Sequence, residues 1–221
     1  MIALAVALSY LGGSVSAPYW IGRSRGVDLR AVGSRKLGGG NLWSAVGPVE
    51  GAAGGLLDAA KGVAAVLGAG AAGLPLEAQL ACGIAAICGQ LWPVFHGFDG
   101  GRANATGWGF ALATDPVAFV IMLLPVGAAL VVGLAVRPRS ARLLPLAALL
   151  SFAVFPAVIW EQQSATPAVS AGLVVLGLVL LRRISAGLAA DLATGASWPR
   201  VLANRALYDR SELQERGVVG I

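Results

Sequence analysis

The sequence predicts an all-α, polytopic integral membrane protein of about seven transmembrane helices, the fourth of them short, with its N-terminus outside and its C-terminus cytoplasmic. Composition is the first reason: 57% of the 221 residues are hydrophobic and 12% are charged, whereas about a quarter of an ordinary globular chain is charged. Apolar runs of near-spanning length are the second. They cover Met1–Gly22, Leu56–Leu74, Ala78–Phe95, Pro116–Val136, Leu143–Trp160 and Pro167–Leu181, with a shorter run at Ala105–Thr114. The third is where the cations fall. Lys and Arg occupy 23–36, Lys61, Arg102, 137–142 and everything from Arg182 onward, while the connections at 73–77, 114–116 and 161–166 carry none. Cytoplasmic loops collect positive charge, and only a count that includes Ala105–Thr114 keeps the arginines at 137–142 on the cytoplasmic side.

The first run lacks a basic leader segment, and Pro18-Tyr19-Trp20 interrupts any cleavage site, so it reads as a retained helix. In the second run, Leu67–Gly73 (LGAGAAG) offers small residues for close helix contact. Cys82 and Cys88 sit together in the third run and suit neither a metal site nor a disulfide framework, so they read as buried small hydrophobes. Trp20, Trp92, Trp160 and Trp198 fall near expected membrane interfaces, where amphipathic rings are favoured. The chain therefore divides into a transmembrane domain over 1–195, with cytoplasmic loops 23–55 and 96–104, and a cytoplasmic tail over 196–221.

Those loops are the places for chemistry. The stretch RSRGVDLRAVGSRKLGGGNLWSAVG mixes cations with Gly33, Gly38, Gly39 and Gly40. Successive backbone N–H groups in such a segment form an anion-binding concavity, and a flexible basic loop against anionic lipid is the competing reading. FDGGRANATG, 98–107, poses the same choice between a phosphate cradle and a plain turn at the membrane surface. Asp58 and Lys61 stand one helical turn apart in the second run, where ionisable residues are costly. They read equally as a functional acid with its partner or as a structural salt bridge. With few other charges in the helices, a transport path is not indicated. The lone His96, at a helix end, reads as structural or interfacial.

The order of these pieces resembles the PlsY-type membrane glycerol-3-phosphate acyltransferases. Asp28, Arg30, Gly33, Ser34, Gly38 and Asn41 match the family's first loop, D-I-R-x-x-G-S-G-N-I-G-A-T-N-x-x-R. Arg35 and Lys36 stand there for Gly and Asn, and Ser44 for the final Arg. Gly89, Pro93, Val94, Phe95, Phe98, Gly100, Gly101, Ala105 and Thr106 match the second, G-H-x-F-P-V-F-x-x-F-K-G-G-K-G-V-A-T. Here Gln90 replaces His, Asp99 the first Lys and Arg102 the second. Ser140 matches a serine of the family's short basic loop. A third element, H-x-x-N-I-x-R-L, is not evident after Leu181, and the nearest substitute is Asn204.

The resemblance implies acyl transfer from an acyl phosphate to glycerol 3-phosphate, giving lysophosphatidic acid for phospholipid biosynthesis in a bacterial-type inner membrane. It implies Ser34, Asn41 and Asp58 as catalytic residues. Arg30, Gly33, Gly38, Lys61, Gly100, Gly101, Arg102, Thr106 and Ser140 are the implied substrate-binding residues, with Gly100-Gly101 supplying N–H groups. The partners expected are glycerol 3-phosphate, acyl phosphate and membrane lipid, with no cofactor, metal or nucleic acid, for a chain acting as a monomer. An acyl phosphate is already activated, so no covalent enzyme intermediate is required, and the leaving phosphate can accept the hydroxyl proton if no side chain does. The competing reading is a catalytically inactive relative that keeps a lipid- or phosphate-binding scaffold.

Overall fold

A computed structural model describes residues 1–135, 143–164 and 166–207. Among these residues the secondary structure is helical throughout. Six segments are long and apolar enough to span a bilayer: Ile2–Ser24, Pro48–Ala71, Leu76–His96, Pro116–Gly133, Leu143–Gln163 and Pro167–Ser185. The expected short fourth pass is an 11-residue helix, Asn104–Thr114, about half the length a bilayer requires.

Two of the expected single helices are broken. The first is α1 (Ile2–Ser14) followed by α2 (Ala17–Ser24). Ser16 caps α2 by accepting a hydrogen bond from the Tyr19 N–H at 3.2 Å, and Pro18 occupies the first turn, where it needs no intrahelical partner. The run after 115 is α7 (Pro116–Met122) and α8 (Leu124–Ala135), with Asp115 capping α7 through the Ala118 N–H. Between them come α3 (Gly39–Ala45), α4 (Pro48–Ala71), α5 (Leu76–Leu91), a 3₁₀ turn at Val94–His96, and α6 (Asn104–Thr114). The chain continues with α9 (Leu143–Gln163), α10 (Pro167–Ser185), α11 (Leu188–Leu192) and α12 (Trp198–Leu207). The second span thus begins eight residues before the Leu56 read from hydropathy, and a short helix occupies part of the expected first loop.

Glycines set the closest helix crossings. A Cβ on Gly13 would overlap the Ala86 carbonyl, and one on Gly89 would overlap that of Tyr10, so α1 and α5 touch backbone to backbone. Gly62 and Gly109 do the same between α4 and α6. In lipid, where apolar burial supplies little drive between helices, such approach supplies packing energy directly. Gly89→Ala is therefore expected to separate α1 from α5. A thermal unfolding midpoint in detergent within 2 °C of the parent would contradict that packing.

The main core joins α5, α6, α7, α9 and α10 through Ile87, Leu91, Phe110, Met122, Phe152, Phe155, Ile159 and Val175, all at most 2% exposed. A smaller core of Leu29, Leu37 and Leu42, at most 1% exposed, lies under the glycine-rich loop and α3. It holds the loop down against α2.

Candidate functional site

The glycine-rich loop has no regular structure between α2 and α3, and one side chain organises it. The Asn41 amide donates to the carbonyls of Leu29 (3.0 Å), Val32 (3.2 Å) and Lys36 (3.1 Å), while its oxygen accepts from the Ser34 N–H at 2.9 Å. Buried backbone polar groups need partners, and here Asn41 supplies them in place of a ladder or helix. Gly33 is left-handed, φ +56°, and a Cβ there would overlap the Asn41 oxygen, so only glycine fits. Asn41, implied as a catalytic residue by the resemblance, makes all four of these contacts within its own loop.

The two loops singled out in the sequence meet at Gln90. Its backbone carbonyl accepts from the Gly101 N–H at 3.1 Å, and its Nε2 donates to the Leu37 carbonyl at 3.4 Å. A Cβ on Gly101 would stand 3.1 Å from that same Leu37 oxygen. Gly100 is packed tighter still, with the positions of Leu91 O and Pro93 Cδ within 2.8 Å of any added Cβ. The glycine pair therefore serves close approach between loops, and the Gly101 N–H, expected to face a phosphate, is occupied by Gln90.

Gln90 also reaches the intramembrane pair. The Lys61 ammonium lies 2.8 Å from Asp58 Oδ1 and donates to Val15 O (2.8 Å), Gly13 O (3.2 Å) and Gln90 Oε1. Gln90 Nε2 donates to Asp58 Oδ2 at 3.0 Å. Asp58 is 3% exposed. The pair closes the break between α1 and α2, whose last carbonyls have no helical partner. A buried ion pair needs this kind of surrounding satisfaction to be tolerable.

Arg30 stacks 4.8 Å above the Tyr19 ring and donates from Nη2 to His96 Nδ1 at 2.8 Å. Because an arginine is only a donor, the His96 ring accepts at Nδ1 and carries its proton on Nε2, an atom with no hydrogen-bond partner. Thr106 is fully buried, its hydroxyl also without a hydrogen-bond partner. Ser140 lies outside the described residues.

Of the expected phosphate holders, Arg102 is the one that stands in a concentration of positive charge. Burial, then Arg183, Arg205 and Arg182, push its guanidinium down to about 9, so it stays charged at neutral pH. Lys36 shares the same neighbours: burial first, then Arg102, Arg183, Arg205 and Arg182, lower its ammonium to about 6. Arg182, at the end of α10, donates to Asp99 Oδ1 (2.5 Å) and to the Gly100 (2.9 Å) and Gly101 (3.5 Å) carbonyls. Arg183 donates to Pro145 O (3.0 Å) and Arg205 O (3.3 Å). Arg205, on α12, is held by Asp191, Ala186 O and Gly187 O. Four segments far apart in the chain thus bring cations to one end of the bundle, where among the described residues they stand beside Asp99 and Asp191. Such a gathering of cations suits an anion.

Sequence reasoning missed Lys36, Arg182, Arg183 and Arg205. The available signal was topological: Arg182 and Arg183 leave the last span on the side assigned to Arg102. The pairing also accounts for Asp99 where the family has Lys. Asp99 is 83% exposed at its side chain, and such a pair contributes about 0–1 kcal/mol, so Asp99→Asn is expected to lower activity less than threefold. Arg182→Ala removes the clasp on both glycine carbonyls and is expected to lower activity at least tenfold. Equal effects of the two in a phosphate-release assay would refute this division.

Fold and site together define a polytopic membrane protein with cations gathered at one end of its helices. The family model for glycerol-3-phosphate acyltransferase matches residues 3–188. A protein of that name from Streptococcus thermophilus is 33% identical over 82% of this chain and 85% of its own length. Another, from Desulforudis audaxviator, is 42% identical over 53% of this chain, which spans 59% of that relative. The chain spans less than two thirds of the length of several such relatives. The crystal structure of PlsY, an integral membrane glycerol 3-phosphate acyltransferase, in its glycerol 3-phosphate form, superposes with a TM-score of 0.73 at 27% identity, covering 88% of this chain and 92% of that one. The chain belongs to the glycerol-3-phosphate acyltransferase family.

Proposed function

We propose that the protein transfers an acyl group from an acyl phosphate to the 1-hydroxyl of glycerol 3-phosphate, forming lysophosphatidic acid and phosphate at the cytoplasmic face of a bacterial-type inner membrane. The observation that carries this reading is the convergence of Lys36, Arg102, Arg182, Arg183 and Arg205 beside Gly100-Gly101. Both substrates are phosphorylated, and holding two anions in reacting geometry is most of the catalytic task. The N-terminus lies outside and the C-terminus inside, in keeping with the positions of the cations. Residues 1–195 form the catalytic membrane domain and 196–221 the tail, acting as a monomer.

The hydroxyl oxygen attacks the acyl carbon, an ester C–O bond forms, and the C–O bond to phosphate breaks with its electron pair leaving on phosphate. Asp58 has both oxygens engaged by Lys61 and Gln90, so the leaving phosphate takes the hydroxyl proton. Ser34, half-buried on the loop that Asn41 braces, orients the acceptor. Arg102 and its neighbours stabilise charge developing on the phosphate and carbonyl oxygens. Gly33 and Gly38 shape the loop, while Arg30 and Lys61 act through the structures they hold. Thr106 is a further residue of the proposed substrate-binding set, as is Ser140, which lies outside the described residues.

The test is phosphate release by the purified full chain given palmitoyl phosphate, with and without glycerol 3-phosphate. Release that requires glycerol 3-phosphate, together with lysophosphatidic acid, supports the reading. Binding of both substrates by folded protein without release would make this an inactive member of the family.

A further inference from the structure

The family match ends at residue 188, and the helices that follow, α11 and α12, turn back onto the end of α10. Arg205, on α12, makes the return contact. Its Nε donates to Asp191 Oδ2, its Nη1 to the Ala186 carbonyl and its Nη2 to the Gly187 carbonyl. Ala186 is where α10 ends, Gly187 is where α11 begins, and Asp191, on α11, is fully buried. Gly187 is left-handed, φ +74°, and an added Cβ would stand 2.9 Å from Arg205 Nη2, so the turn under the guanidinium takes glycine. The contact runs both ways. The Arg205 carbonyl accepts from Arg183 Nε at 3.3 Å, and on the same face of α12 Val201 and Asn204 are buried.

What Arg205 holds is the part of α10 that faces the glycine pair. Arg182 and Arg183 stand in the last turn of that helix, where helices fray. From there Arg182 donates to the Gly100 and Gly101 carbonyls, at 2.9 and 3.5 Å, in the segment that leads directly to Arg102. A continuous line of contacts and peptide bonds therefore runs from α12, through the end of α10, to Arg102.

We propose that Arg205 is a positioning residue of the anion site, its guanidinium locking the last turn of α10 so that Arg182 holds the Gly100–Arg102 segment in place for the phosphate of the substrate. The inference rests on the reading of this end of the bundle as the place where glycerol 3-phosphate binds. It adds to that reading a residue beyond the family match, on a helix of the tail.

Two physical points carry it. Three acceptors converge on one side chain, and a guanidinium is planar with its donors in a fixed fork, so it meets the Asp191 carboxylate and both carbonyls at once. A lysine ammonium is a compact point charge on a flexible stem and does not reproduce that geometry. The second point concerns ligand binding. A donor segment already held in place before the ligand arrives loses less of the binding free energy to ordering. Arg205 engages protein groups through all three of its nitrogens, so it acts through Arg182 and Arg183 and not by touching the ligand.

The experiment is calorimetric titration of the full chain in detergent with glycerol 3-phosphate, which reads affinity without requiring turnover. Arg205→Met is expected to weaken binding by about tenfold or more. Arg205→Lys keeps the charge without the fork and is expected to weaken it by about fivefold or more. Because Arg205→Met alone strands the Asp191 carboxylate, the paired variant Asp191→Asn with Arg205→Met is titrated beside it, and the same weakening is expected there. Arg205→Met is then combined with Arg182→Ala. If one acts through the other, the double variant loses less affinity than the product of the two single losses. Losses that multiply in full, or parent-like affinity in Arg205→Lys or in the paired variant, would each overturn the inference while leaving the site standing. No binding of glycerol 3-phosphate by the folded parent would overturn the reading of the site and this inference with it.

Discussion

Replacing Arg102 by alanine is expected to lower kcat/KM for glycerol 3-phosphate by about 10²–10³, the range found when a preorganised donor to developing negative charge is removed. Arg102 follows directly on Gly100-Gly101, a pair with too little room to shift: Gly101 is held by Gln90, and the carbonyls of both glycines by Arg182. Its charge is therefore delivered by a rigid segment. Arg102→Lys keeps the charge without the planar fork and is expected to recover only part of the loss. Phosphate release from palmitoyl phosphate measures both variants. Parent-like kinetics in Arg102→Ala would reduce 98–107 to a turn between helices.

Asp58→Ala is expected to cost about 3–5 kcal/mol of stability, because it strands the Lys61 ammonium among carbonyls with no counter-charge. Neither partner can turn to water: their side chains are 4% and 15% exposed. For a chain of this size that corresponds to a fall of roughly 10 °C in the unfolding midpoint. Asp58→Asn can still engage Lys61 and Gln90 and is expected to be milder. The pair of variants also separates structure from catalysis. If Asp58 were the general base, Asp58→Asn would abolish turnover at an unchanged midpoint; the geometry instead predicts a lowered midpoint with turnover retained per folded molecule.

The membrane architecture was legible because apolar length and the placement of Lys and Arg are properties of the chain read in order. The breaks inside spans were harder to see. Ser16 and Pro18 are an ordinary helix start in the sequence, but a hydropathy window averages across them. The early start of α4 at Pro48 lies in a stretch of alanine and glycine that no apolar count selects, and it follows from packing: any Cβ on Gly51 would stand 2.5 Å from Trp43. The two glycine loops stood out by their mixture of glycines and cations, and their likeness to a family added to that. Their joining at Gln90 was not readable, since that residue pairs with Gly101 on one side and with Leu37, 53 positions away, on the other. Asp99 and Arg182 stand 83 positions apart, and nothing local marks either as the other's partner. Asn41 reads as catalytic from its match to the family's first loop. Its actual partners are four backbone groups of its own loop.

The Lys61 ammonium completes the interrupted end of α1, and this bears on biogenesis. While the first span enters the bilayer alone, the Gly13 and Val15 carbonyls have no partner, and each such group in hydrocarbon costs several kcal/mol. The charge that relieves them belongs to the second span, where it too is unwelcome until α1 arrives. Each segment thus carries what the other lacks. The polar groups of the first two spans are satisfied only when both spans are in place.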